Sequence, residues 1–226
     1  MLAGIKKGVY MVNGILSKAI KSLNKIESNT GFNAINCSTI GDYCSRKIWY
    51  SLKNYAGSNE FVLHRMVNKA IKQAILSMLG SANLNIVAHK EMVIDERHPF
   101  IMGNPDAFLV DSNGEIKSLI DIKVTTHKNF NVLLKKNIKL WDSKYYAKLQ
   151  ALMGISKVYE TESIVLDRDT LGFLDLKMQY DPFYYSYLID KAKSIYEDDK
   201  EPMRVNDSIT WHECKSCTYR KVCKNI

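Results

Sequence analysis

No stretch of this chain approaches the about 20 consecutive apolar residues that crossing a bilayer requires. Its first residues, MLAGIKKGVYMVNGIL, are broken by lysines and glycines where a secretory leader would be continuously apolar. Membrane-spanning and exported classes are set aside, and an intracellular protein is expected. Internal repeats and low-complexity segments are also missing, which excludes solenoids and unfolded tails. With 46% hydrophobic and 25% charged residues among 226, nothing marks the chain as disordered, and one good core can be buried. Cysteine is scarce: five in all, an odd number, with three inside WHECKSCTYRKVC. That usage argues against a secreted disulfide framework and for metal binding in a reducing compartment. Acidic residues fall short as well, 24 against 32 Lys and Arg, for a formal charge of +8. The excess is uneven: residues 1–30 hold five lysines and one glutamate, and Lys215, Arg220, Lys221 and Lys224 crowd the tail. A polyanion partner suits that distribution, although charge alone fits a merely soluble basic protein equally well.

A single globular domain is expected. STIGDYCSRKIWYSLKN reads as a short helix capped by Ser38. SNEFVLHRMVNKAIKQAILSMLG reads as a long one, with apolar residues at 63, 66, 67, 70, 71, 74, 75 and 78 and a stop at Gly80. Strand-like runs follow at about 86–94, 100–110 and 116–124. Next come a helix around SKYYAKLQALMG, strands in KVYETESIVLD and LGFLDLKMQY, and a helix from Asp181 to about Asp198. The order indicates an α/β domain with a mixed central sheet flanked by helices.

Within GNPDAFLVDSNGEIKSLIDIKVTT, Asn113-Gly114 is a strong type I′ hairpin signal, because both central positions of that turn need positive φ. Cross-strand partners then have numbers that sum to 227, which sets Asp106 opposite Asp121. Opposed residues hold their Cβ atoms about 4.5–5.5 Å apart, and two carboxylates at that spacing repel unless something neutralises them. A divalent cation would. Lys123 lies two residues beyond Asp121 and shares its face, while Ile120, Ile122 and Val124 face the other way. Two carboxylates and an ammonium on one surface suit phosphodiester hydrolysis: hard oxygens hold Mg²⁺ or Mn²⁺, and the lysine offsets growing charge. An exposed hairpin carrying an ordinary Asp–Lys pair is the plain alternative. Cys214, Cys217 and Cys223 are one thiolate short of a four-sulfur site, and the two remaining cysteines, Cys37 and Cys44, lie far upstream. Either would make the site a clasp between the chain's ends. Four thiolates fit zinc and an iron–sulfur cluster alike.

Pro105-Asp106 followed by DIK at 121–123, with EMVID from Glu91 and GNPD from Gly103, resembles the PD-(D/E)XK pattern of RecB-like nucleases. The terminal cysteines, joined to one in CSRKIWY, are similar to the iron–sulfur branch, which includes the CRISPR-associated RecB-like exonucleases. The resemblance covers residues 38–224 and implies a restriction-endonuclease-like core over 59–204. It also implies a clasp of 38–58 with 205–226 and a basic helical extension over 1–37. Further implied are metal ligands His64, Asp106 and Asp121, a catalytic Lys123, and Gln150 positioning the DNA strand. Cys44, Cys214, Cys217 and Cys223 would hold a cluster, 4Fe-4S ahead of 2Fe-2S, leaving Cys37 spare. Asp121 stands where this branch more often has Glu. Gly154 replaces the usual tyrosine, so Tyr146, one turn before Gln150, becomes the candidate for substrate contact. His64 or the tyrosines considered singly could equally be ordinary packed side chains. The expected function is a metal-dependent exonuclease on single-stranded DNA ends, in CRISPR adaptation alongside integration proteins or in viral or replication processing. A catalytically silent subunit and a zinc-stapled nucleic-acid-binding module are the alternatives, and the intact Asp106, Asp121 and Lys123 set argues against both.

Overall fold

The computed structural model describes residues 33–55, 57, 62–82, 84–89, 91–208 and 210–224. The expected basic extension lies outside these up to residue 32. The chain enters through β1 (Ile35–Asn36), α1 (Cys37–Ile40), α2 (Ser45–Leu52) and the long α3 (Val62–Ser81). Five strands follow: β2 (Ile86–Ala88), β3 (Val93–Asp95), β4 (His98–Gly103), β5 (Ala107–Val110) and β6 (Ile116–Thr125). Then come α4 (His127–Leu133), α5 (Ile138–Trp141), α6 (Ser143–Ser156), β7 (Glu160–Asp167), β8 (Phe173–Gln179), α7 (Pro182–Glu197), α8 (His212–Lys215) and α9 (Arg220–Lys224). One sheet has the order β2-β5-β6-β7-β8, with β6 and β7 parallel and the other pairs antiparallel. A smaller sheet, β1-β4-β3, lies beside it. The core gathers Ile101, Leu119, Leu152, Ile48 and Leu188 between the strands and helices α2, α6 and α7.

The expected strands 86–94 and 100–110 each divide between the two sheets, the second breaking at Asn104-Pro105-Asp106. Proline has no N–H to give a ladder, so a strand cannot run through it undisturbed. Asp106 therefore sits just before β5. The register around it is the expected one, with Ala107 opposite Ile120, Phe108 opposite Leu119 and Leu109 opposite Ser118. The turn is not. Gly114 N–H donates to Asp111 O at 3.0 Å, and only Gly114 has positive φ (+83°), which makes a longer loop than the type I′ turn expected at Asn113-Gly114. A bulge between Leu109 and Val110 absorbs the extra residue and restores the pairing.

Two helical expectations are also corrected. Asn36, not Ser38, caps the first helix, its Oδ1 accepting from Ser38 N–H at 2.8 Å, and that helix stops at Gly41 before α2 begins. Along α3 the half-buried stripe runs through Asn68, Ile71, Lys72, Ile75, Leu76 and Leu79, with Ile75 and Leu76 packed on Ala107, Ile120 and Ile122. Leu63, Met66, Val67 and Met78 of the expected face are exposed. No helix among the described residues is long and apolar enough to cross a membrane.

Candidate active site

The hairpin brings Asp121 to a cleft and holds Asp106 beside the same strand. Because the β5–β6 ladder ends at the Ala107–Ile120 pair, Ile122 N–H lacks a strand partner there, and Asp106 Oδ2 accepts it at 2.7 Å. Asp121, in the centre of the sheet, is fully buried and accepts from the Tyr145 hydroxyl at 2.8 Å. Lys123 reaches Asp142 Oδ2 at 3.2 Å, with its Nζ 4.7 Å from the Tyr145 ring centroid. Asp142 also caps α6 through Tyr145 N–H at 2.9 Å, so the helix start and the lysine are fixed together.

Two ammonium groups neutralise the carboxylates. Lys72 Nζ lies 2.7 Å from Asp106 Oδ2, and Lys148 pairs with Asp121 Oδ2. Burial alone would raise the Asp121 pKa, but the Lys148 charge, then that of Lys72, and the hydrogen bonds from Lys148 and Tyr145 together hold it below the ordinary carboxyl value. Each carboxylate of the hairpin thus has a lysine as its counter-charge. Lys72, Asp121, Lys123, Asp142, Tyr145 and Lys148 line a cleft of about 410 Å³, and Asn68 Oδ1, buried beside them, has no hydrogen-bond partner among the described residues. A second cleft of about 370 Å³ shares Lys123, Val124 and Asp142 and adds Trp141 and Arg168. Hard oxygens from Asp106 and Asp121, with the orphaned Asn68 oxygen, fit Mg²⁺ or Mn²⁺, which commonly take one or two carboxylates and fill out with water and phosphate.

Other expected residues are dispersed. Among the described residues no three His, Cys, Asp or Glu side chains converge on one metal position, and His64 is exposed on α3, two turns before Lys72. Gln150 is fully buried: its Nε2 donates to Gln179 O at 3.0 Å and its Oε1 accepts from Asp181 N–H at 2.8 Å. It ties α6 to β8 and to the cap of α7. Tyr146 lies partly exposed with its ring 5.1 Å from that of Tyr184. Gly154 faces α7, where a Cβ would collide with the Tyr185 ring, so Tyr185 fills the space a larger residue at 154 would take. Sequence reasoning missed Asn68, Lys72 and Lys148. Spacing carried the one available signal: Asn68 and Lys72 continue the His64 face in steps of four.

At the far side, Cys44, Cys214, Cys217 and Cys223 line one cavity with Arg46, Lys47, Arg204 and Arg220. Cys37 is elsewhere, fully buried against Gly103, and burial pushes its thiol up to about 12. Burial also raises Cys214 and Cys217. Arg220 Nε is buried with no partner among the described residues, a donor suited to an anionic occupant. Protein contacts also join the two end segments: Arg46 Nε donates to Pro202 O at 2.6 Å, Trp49 Nε1 to Asp198 O at 3.0 Å, and the Tyr50 ring lies 5.6 Å from that of Tyr219. The four thiols share one cavity with a basic surround, but they are not drawn together on a single metal position.

No protein-family model matches the sequence, and no curated protein matches it. Solved structures do share its fold. An alkaline exonuclease from Laribacter hongkongensis superposes with a TM-score of 0.52 at 12% identity, over 73% of this chain and 86% of that one. A phage-related exonuclease from Haemophilus somnus 129PT gives 0.52 at 16%, over 77% and 96%. The protein SSO0001 gives 0.56 at 14%, over 94% and 97%. The mixed α/β architecture with flanking helices is thus a restriction-endonuclease-like nuclease fold.

Proposed function

We propose that this chain is a metal-dependent DNA exonuclease acting on single-stranded ends. One observation carries the proposal: on a fold shared with exonucleases, Asp121 lines a cleft together with Lys123 and with Lys72, whose ammonium reaches Asp106. Asp106 and Asp121 would hold Mg²⁺ or Mn²⁺, with His64 approaching from α3. The bound ion lowers the pKa of its water and screens the phosphate. Lys123, held between Asp142 and the Tyr145 ring, faces the position where negative charge grows on the phosphate oxygens. Gln150 would act through α7, whose cap it fixes, and Tyr146 on the strand itself. Cys44, Cys214, Cys217 and Cys223 would hold a 4Fe-4S cluster in preference to a 2Fe-2S cluster, bracing the chain's ends. CRISPR adaptation beside integration proteins, or viral or replication DNA processing, are roles this chemistry would serve.

End-labelled single strands provide the test. Shortening with Mn²⁺ or Mg²⁺ is expected, with none in EDTA, little with Ca²⁺, and loss by orders of magnitude in Asp121→Asn and Lys123→Ala. Equal rates in excess EDTA would overturn the proposal.

A further inference from the structure

Beside the cleft, three tyrosine rings lie in a row, Tyr146 and Tyr184 half-buried and tilted by 50°, Tyr187 exposed. Tyr146 of α6 lies 5.1 Å from Tyr184 of α7, and Tyr184 lies 5.9 Å from Tyr187 with 30° between their planes. Lys139 of α5 sits over two of these rings, 5.3 Å from Tyr146 and 5.2 Å from Tyr184, and has no carboxylate in ion-pair range among the described residues. Tyr43, from the α1–α2 connection, is 61% exposed, with the Lys144 ammonium 5.7 Å from its ring. Tyr187 is 58% exposed. Four separate segments therefore contribute to one aromatic and cationic face. Rings serving only as core would be covered, and a helix surface needing only solubility would not hold an ammonium between aromatic faces.

The face joins the cleft, because Lys144 lines both and Tyr146 follows Tyr145, whose hydroxyl reaches Asp121. We infer that it is a base-stacking platform for a single-stranded nucleic acid, resting on the nuclease reading and naming how that substrate is held outside the catalytic centre. Tyr187 and Tyr43 offer ring faces to bases, and Lys139 meets the phosphate between them. Stacking accepts any base, so recognition depends on a base being present and not on which one. A duplex, whose bases are already stacked on each other, has nothing to offer these rings.

The test is fluorescence anisotropy of wild-type protein in EDTA with an oligothymidylate and with an abasic strand of equal length. Wild type is expected to bind the thymidylate roughly tenfold more tightly. Tyr187→Ala, a surface change that should leave the melting temperature in place, and Tyr184→Leu should bring thymidylate binding down towards the abasic value. Lys139→Ala should weaken both strands alike and flatten the salt dependence by about 0.7 in log–log slope, the effect of one phosphate contact on a single strand. If the protein cleaves with Mn²⁺ yet binds both strands equally, or Tyr187→Ala keeps the full discrimination, the platform is refuted and the nuclease stands. Protein that neither binds nor cleaves overturns both. A wild-type dimer in sedimentation that Tyr187→Ala dissociates would make this a self-association surface and refute the platform.

Discussion

Replacing Lys148 by methionine tests the charge balance of the cleft. Methionine keeps most of the side chain's bulk and removes the ammonium. Asp121 is 0% exposed, and Lys148 is the cation on its Oδ2. Removing one member of a buried ion pair costs about 3–5 kcal/mol, because the charge left behind stays out of water. Tyr145 still donates to Asp121 at 2.8 Å and Lys72 remains near, so the lower end, about 3 kcal/mol, is expected. Each kcal/mol moves the melting temperature of a chain this size by about 2–4 °C, giving a fall of about 6–12 °C in EDTA.

Manganese should then reverse the loss. If Asp106 and Asp121 hold the ion, saturation at a hundred times Kd adds about 2.7 kcal/mol, close to what the substitution removed. Wild type should gain less, since there the ion competes with Lys148. Lys148→Met combined with Asp121→Asn removes both charges, and should melt near wild type while ignoring Mn²⁺. Calorimetry on the three proteins, with EDTA and with Mn²⁺, reads all of this. An unchanged midpoint for Lys148→Met in EDTA would refute the lysine as counter-charge. A fall that Mn²⁺ leaves untouched would refute the shared cation.

Anaerobically purified protein should be brown, with Cys44→Ala colourless and Cys37→Ala unchanged, since only Cys44 shares the cavity of the C-terminal thiols; stoichiometric zinc in a colourless protein would refute the cluster. Gly154→Ala should cost about 1–3 kcal/mol in urea melts, because its Cβ meets the Tyr185 ring; wild-type stability would mean that helix α7 gives way freely. Asp167 is held down to about 2: burial opposes this, but the Thr170 hydroxyl, Asp169 N–H and His127 prevail. Its unfolded form binds the proton more tightly, so the stabilisation is complete above about pH 4 and lost on falling to about pH 2. Asp167→Asn should lack that acid-dependent loss, and parallel urea midpoints against pH for the two proteins would refute it.

Local rules made part of the fold legible. Asp181 before Pro182 marks a helix start by side-chain chemistry alone, and α7 begins there, with Asp181 accepting from Tyr184 N–H at 3.0 Å. The pairing of Asp106 with the Asp121 region was legible for a subtler reason: the burial of Ile120 and Ile122 fixes the register more firmly than the turn does. A turn of the wrong type and a bulge cancelled. The division of two apparent strands between separate sheets was not legible, since alternating apolar residues look the same on either side of Pro105.

The lysines of the cleft show why the remainder stayed hidden. Lys72 finds its carboxylate 34 residues away and Lys148 finds its own 27 away, so neither pairing leaves any local spacing to detect. On α3, counting apolar residues selects the face of Leu63, Met66, Val67 and Met78. The structure turns inward only Ile71 and Ile75 of the expected face, with Asn68, Lys72, Leu76 and Leu79 beside them, and from there Lys72 reaches Asp106. A carboxylate lodged at the end of a hairpin costs more to leave unpaired than several aliphatic side chains cost to leave half exposed. The charge pair adds to the apolar contacts in favouring this roll of the helix. A helix with two usable faces is ambiguous in sequence for as long as the charges it must answer lie on a distant strand.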